Sequence, residues 1–166
     1  DELLRANIHY VASREGRTPA MEELAARVRQ SGRKPFIVPL GASTPTGALG
    51  LARALGEIAS NGLKPDAIIH STSSGGTQAG LVAGCALFGI RTSVIGISAD
   101  DPAPALMRVV ADLLTKMGDR LGAKPASIGA TEPPAVDDGY VGAGYGIPTP
   151  ASIEALELVA RTEGIL

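Results

Sequence analysis

From residue 71 to residue 80 the chain reads Ser-Thr-Ser-Ser-Gly-Gly-Thr-Gln-Ala-Gly. Short hydroxyls and glycines at this density suit one task, which is holding an anion. The preceding segment, Asp66-Ala67-Ile68-Ile69-His70, is apolar and Ile-rich and reads as a buried strand. The following segment, Thr77 to Phe88, is rich in Ala and Leu and reads as a helix. A turn from strand to helix aims backbone N–H groups at one spot beside the helix N-terminus, where the helix dipole adds partial positive charge. Gly75 and Gly76 allow unusual φ values and close approach of backbone to a ligand. The chemistry this predicts is a phosphate cradle. The same spelling also fits a plain strand-to-helix loop with Thr77 as an ordinary N-cap.

Two other phosphate-binding patterns are absent. The chain has no Gly-x-x-x-x-Gly-Lys-Ser/Thr and no Gly-x-Gly-x-x-Gly. The remaining chemistry-bearing residues are scattered. His9 lies mid-segment and His70 at a strand end, and both read as structural histidines because no second titrating group stands near them in sequence. Asp137-Asp138 lacks a neighbouring His or Cys and reads as a solvated turn rather than a metal site. Cys85, the single cysteine, lies in an apolar helix and reads as a small buried hydrophobe. It permits no internal disulfide, which fits a reducing, cytoplasmic setting.

These residues must be positioned by a fold. The 166 residues suffice for one ordinary domain, and a 45% apolar content argues against disorder. Aromatics make up only 3%, so Ala, Val, Ile and Leu must build the core. A net charge of −2 gives no electrostatic case for nucleic acid or an anionic membrane. The cluster Arg27, Arg29, Arg33, Lys34 falls near a predicted helix C-terminus, where it complements the dipole. The apolar run Leu81 to Ile90 is too short to span a bilayer, and no signal-peptide pattern is present.

Strands are expected at 6–11, 36–40, 66–71 and 92–98. The first helix should open at Thr18-Pro19, with Thr18 as cap and Glu22 and Glu23 in its first turn, and end at Gly32. Its apolar face is Met21, Leu24, Ala25 and Val28. A second helix follows the turn 41–47, shows Leu51, Leu55, Ile58 and Ala59 on one face, and closes at Asn61-Gly62. A long helix capped by Asp101-Pro102 should bury Leu106, Val109, Val110, Leu113, Leu114 and Met117. Residues 124–150 are irregular and rich in Gly and Pro, which is long for a loop without function. An amphipathic helix from Ala151 to Gly164 ends the chain. Strands alternating with helices predict an α/β fold, an open and mostly parallel sheet with helices packed on it.

Three stretches together resemble the fold-type II family of pyridoxal-phosphate enzymes. The likeness is to the branch holding 1-aminocyclopropane-1-carboxylate deaminase and D-cysteine desulfhydrase. The first stretch is Lys34 through Ser43 followed by Gly47-Ala48-Leu49-Gly50. The second is His70 through Gly80. The third is Gly144-Tyr145-Gly146-Ile147-Pro148, continuing into Glu154-Ala155 and Ala160 through Leu166. They stand in the family's order and span nearly the whole chain.

The resemblance implies a tryptophan-synthase-β-like fold. Residues 1–65 would be part of the small α/β domain and its crossover, and 66–166 the phosphate-binding part with the active-site loop. It implies pyridoxal phosphate as cofactor, its phosphate held by Ser74, Gly75, Gly76 and Thr77. It makes Tyr145 a catalytic tyrosine near the substrate, while Tyr140 has no match and is left to packing. Gly41, Ala42 and Ser43 form a turn that fits the approach of a substrate carboxylate or, on the residues alone, the capping of the next helix. The implied activity is deamination or β-elimination on a small amino acid, giving a 2-oxo acid and ammonia.

The family also requires a lysine bound covalently to the cofactor, and Lys34, Lys64, Lys116 and Lys124 all sit in other contexts. The chain starts at Asp1 rather than at a methionine and stops at the apolar pair Ile165-Leu166. It is therefore expected to be a fragment of an enzyme, truncated at both ends, or a binding module that keeps the cradle without the chemistry. A truncated sheet leaves apolar faces uncovered, which predicts a homodimer or self-association.

Overall fold

The structure, a computed structural model, describes residues 4–165; Asp1 and Leu166 lie outside the described residues. The chain divides into two compact units, Asp1–Leu40 and Gly41–Leu166.

In the first unit, helix α1 runs Arg17–Gln30. It starts one residue before Thr18 with Gly16 as N-cap and no side-chain cap. That start puts Glu22 and Glu23 beyond the first turn, and Glu23 pairs instead with Arg27 one turn on. The expected apolar face exists. Met21, Leu24, Ala25 and Val28 line a groove of about 280 Å3 with Pro35, Phe36, Ile37 and Val38. The expected strands at 6–11 and 36–40 do not form. Both segments are irregular, and Tyr10 and Phe36 are each 91% exposed. Alternation sets which face a residue takes, but a strand exists only where a neighbour supplies its hydrogen bonds. Among the described residues neither segment has such a neighbour.

The second unit is an α/β layer. Its helices are α2 (Pro45–Ser60), α3 (Gly76–Phe88), α4 (Ala103–Leu121) and α5 (Pro150–Glu163). Its strands are β1 (Ala67–Thr72), β2 (Ser93–Ser98) and β3 (Ala135–Asp137). They form an open sheet in the order β1-β2-β3, parallel throughout, with Ile68 opposite Val94 and Ile95 opposite Ala135. The short β3, inside the stretch expected to be irregular, follows Pro133-Pro134 and supplies the third strand. β1 is an edge strand, not a buried one: Ile69 is 68% exposed and only Thr72 is buried.

Helix α3 is buried along most of its length and packs on α2 through small residues. A Cβ on Gly80 would lie 2.4 Å from the Ala48 carbonyl oxygen, and one on Gly84 would lie 2.8 Å from that of Ala52. Ala48, Ala52 and Leu55 are the buried residues of α2. Leu51, expected on the same face, has its Cβ at the α2–α3 seam beside Gly80, yet the residue is 38% exposed. α4 buries Leu106, Val110, Leu113, Leu114 and Met117 but leaves Val109 43% exposed. Leu114, Met117 and Ile128 close the main cluster; cutting Leu114 to alanine would cost about 2–5 kcal/mol.

Two helix starts are built differently from expectation. The α4 N-cap is Pro102, and the N–H of Ala103 is taken by the Asp138 carboxylate at 2.7 Å. Thus Asp138 caps a helix from 35 residues away, while Asp137 accepts the Gly139 N–H at 2.8 Å. The last helix begins at Pro150 behind a reciprocal capping box of Thr149 and Ser152. Among the described residues no cluster is suited to a metal ion, and no helix is long and apolar enough to cross a membrane.

Candidate functional site

β1 ends at Thr72, the chain turns through Ser73 and Ser74, and Gly75 enters α3 with φ +76. A side chain at 75 would be strained at that angle and would also press on α4, since its Cβ would lie 3.0 Å from Val109 Cγ1. Gly76 is needed for a different reason. Its Cβ would lie 2.6 Å from Ser43 Oγ and 3.1 Å from Ser43 Cα. Both glycines therefore let the loop close against its own protein.

The result is a cavity of about 190 Å3 lined by Ser71, Thr72, Ser73, Ser74, Gly75, Thr77, Ala99 and Tyr145. It opens at the C-terminal ends of β1 and β2, where parallel sheets place their ligands. The Ala99 N–H donates to the Thr72 carbonyl at 3.0 Å and seals the floor between the two strands. No lining side chain is charged at neutral pH. The attraction for an anion comes from the N-terminus of α3, which has no side-chain cap. The Ala79 N–H bonds to the Gly75 carbonyl, so the N–H groups before it stand ahead of the helical ladder.

The hydroxyls divide by partner. Ser73 donates to the Asp100 carboxylate at 3.1 Å, and that carboxylate also accepts the Asp101 N–H at 3.0 Å. Ser74 is hydrogen-bonded to Ser43 at 2.8 Å. Thr72 is 4% exposed and its hydroxyl has no partner within the protein. Thr72 lines the cavity at the uncapped start of α3 together with further hydroxyls, and no lining side chain is itself a carboxylate, a set that fits a phosphate group. An orphaned hydroxyl is costly unless something accepts from it.

Of the residues singled out from sequence, Ser74, Gly75, Thr77 and Tyr145 meet at this cavity, whereas Gly76 lies behind it. Tyr145 reaches it on a turn closed by the Ile147 N–H to the Gly144 carbonyl at 3.1 Å, with Gly146 at φ +74. Tyr140 does not line the cavity and, contrary to expectation, does not pack: it is 75% exposed. The turn 41–43 touches the Ser74 loop. His70 donates from Nδ1 to the Ser71 carbonyl at 2.8 Å, and its Nε2 is buried without a partner. His9 lines a separate hollow in the first unit with Tyr10, Arg17 and Met21. Cys85 is buried, and burial pushes its thiol above the ordinary value. Thr72 and Ala99 were not singled out, although each ends, or directly follows, a parallel strand and so falls at the ligand-binding edge. No lysine lines the cavity among the described residues.

Comparison with known proteins gives concordant results. A family model described as "Pyridoxal-phosphate dependent enzyme" matches residues 1–166. A Pyrococcus furiosus protein named "Putative 1-aminocyclopropane-1-carboxylate deaminase" is 34% identical over 149 residues, which is 87% of this chain and 44% of that protein. A solved structure titled "Crystal Structure Analysis of the ACC deaminase homologue" superposes with a TM-score of 0.84 at 28% identity. It covers 96% of this chain and 48% of its own. The chain thus spans less than half the length of these two relatives, and the open parallel α/β layer is the fold-type II architecture.

Proposed function

The chain belongs to the pyridoxal-phosphate-dependent enzyme family, and from that premise we propose that it supplies the phosphate-anchoring part of a deaminase or β-elimination lyase. The substrate is a small amino acid, of the D-cysteine desulfhydrase or 1-aminocyclopropane-1-carboxylate deaminase type, and the products are a 2-oxo acid and ammonia. The observation that carries this reading is the hydroxyl-lined cavity at the uncapped start of α3, with the buried, unpartnered Thr72 in its wall.

Bound pyridoxal phosphate supplies an electron sink for the pair released when a substrate bond breaks. The protein's tasks are to bind, orient and move protons. The Ser74 and Thr77 hydroxyls and the first N–H groups of α3 hold the phosphate, with Gly75 and Gly76 giving the loop its path. Thr72 adds a donor from the floor. Tyr145, 71% exposed at the mouth, holds or passes a proton beside the substrate. In this reading residues 1–65 serve the small domain and crossover and 66–166 the phosphate site and active-site loop. That functional division falls after α2, whereas the compact units divide after Leu40. A cytoplasmic homodimer completes the proposal.

A second reading has a specific observation behind it. With no lysine lining the cavity among the described residues, the chain by itself is a non-catalytic phosphate- or cofactor-binding module. Borohydride reduction after mixing with pyridoxal phosphate, read by intact mass and peptide mapping, separates the two. We expect no stoichiometric adduct on any one lysine. A single full adduct would make the chain a complete imine-forming enzyme. Sulfide release from D-cysteine, against 2-oxo acid release without sulfide from the cyclopropane substrate, would then assign its type.

A further inference from the structure

We infer that Ser43 is a positioning residue of the phosphate anchor, directing the Ser74 proton into the cavity; this rests on the phosphate-anchor reading above. A serine hydroxyl has one proton to give and two lone pairs to receive with. A phosphate dianion only accepts. Ser74 therefore helps an anion only when its proton faces the cavity, and left alone its hydroxyl rotates freely. In the structure Ser43 Oγ and Ser74 Oγ lie 2.8 Å apart, within hydrogen-bond distance, across 31 residues of sequence, and a phosphate that accepts from Ser74 requires Ser43 to be the donor of this pair. Donation in that sense occupies a lone pair of Ser74 and leaves the Ser74 proton for the anion. A chain of donors running Ser43 to Ser74 to phosphate is polarised along its length, which strengthens the last link.

The turn that carries Ser43 is built to hold this contact. A Cβ on Gly41 would lie 2.1 Å from Ser74 Oγ, so only glycine admits the approach there. Gly41 has φ +65, and Ala42 follows at φ +50, an angle that non-glycine residues seldom take. The far end of the turn is tied to α2. The Thr44 N–H donates to the Ala42 carbonyl at 2.8 Å, and the Thr44 hydroxyl accepts the Gly47 N–H at 3.0 Å. A Cβ on Gly47 would meet the Ala42 carbonyl oxygen at 2.2 Å. On the other side, Gly76 leaves Ser43 room against α3, since a Cβ there would lie 2.6 Å from Ser43 Oγ. A strained turn fixed at both ends, with the Ser43 hydroxyl on the anchor serine, does more than cap α2, which Thr44 already does.

The test uses pyridoxine 5′-phosphate, which has no aldehyde and cannot bond to a lysine, with pyridoxine as the phosphate-free control. Affinities of the 166-residue chain are measured by calorimetry for wild type, Ser43→Ala, Ser74→Ala and the double variant. Ser43→Ala should weaken pyridoxine phosphate about 5- to 10-fold, the worth of one hydrogen bond, and leave pyridoxine unchanged. In the Ser74→Ala background the same substitution should change affinity less than about twofold, since neighbours sharing one bond are not additive. The 31P resonance of the bound probe should titrate at higher pH in Ser43→Ala, because the dianion has lost an aligned donor. Ser43→Cys, similar in volume but a weak donor, should repeat the loss and covers the case in which alanine unfolds the turn. Equal losses in both backgrounds, or no loss in either Ser43 variant, would overturn the role of Ser43 alone. A wild-type chain that binds pyridoxine phosphate no better than pyridoxine would overturn the phosphate anchor and this inference with it.

Discussion

Thr72 carries a cost in the free protein that, in the proposed anchor, a bound phosphate would repay. Its hydroxyl is buried and has no partner within the protein, a situation worth about 1–3 kcal/mol of destabilisation. Thr72→Val keeps the shape and removes the hydroxyl. We predict an unchanged or higher melting temperature for the ligand-free variant, together with about 5-fold or weaker binding of pyridoxine phosphate; a variant that melts lower and binds normally would make Thr72 a purely structural residue. Cys85 gives a second prediction. Burial raises its folded pKa above the ordinary value of 9.0, so above that value the unfolded thiol loses its proton first. Its contribution to stability is full at lower pH and is lost as pH rises through the folded value. Urea titrations of wild type and Cys85→Ala should differ by a constant amount below about pH 8, and the wild-type advantage should shrink at higher pH. At this scale the sequence was partly legible. Ser74, Gly75 and Thr77 declare themselves by residue type, and Tyr145 through the family resemblance. The Ser43–Ser74 bond was not readable, because nothing local links two serines on separate loops.

Among elements, α3 decides whether the cradle is held in place. Its glycines at 80 and 84 meet α2 backbone, so added volume has nowhere to go. Gly84→Ala should destabilise the fold by about 1–3 kcal/mol through overpacking. Gly50, inside α2, has nothing within 4 Å of an added Cβ. Gly50→Ala should therefore stabilise by about 0.5–1 kcal/mol through helix propensity. Thermal melts of the two variants should move in opposite directions, and a common sign would refute the tight α2–α3 seam. The helices were readable because 3.6-residue periodicity is a local property. The segments 6–11 and 36–40 misled because a strand's pattern is local while its pairing is not. β3 escaped notice since three residues behind two prolines carry almost no pattern. Asp138 was read as a turn for the same reason: the helix it caps lies far away in sequence.

For the whole molecule, surface composition raises the question of assembly. Ile69 on the β1 edge and Leu156 and Leu158 on α5 are each more than half exposed. α5 has no buried residue at all. An unpaired edge strand and an apolar helix face are features that association covers, and the net charge of −2 offers little repulsion. Sedimentation should show self-association that strengthens with concentration, whereas a single monomeric species over a hundredfold range would contradict it. The α/β class was legible at this scale, because alternating strand and helix signals permit few arrangements.

Hydrogen exchange across the start of α3, with and without pyridoxine 5′-phosphate, tests the central claim most directly. The anchor predicts that the amides of Gly75 through Gln78 slow markedly when the probe is present, that inorganic phosphate reproduces the effect at higher concentration, and that pyridoxine does not. Unchanged exchange there at saturating probe, or protection confined to another part of the chain, would contradict it.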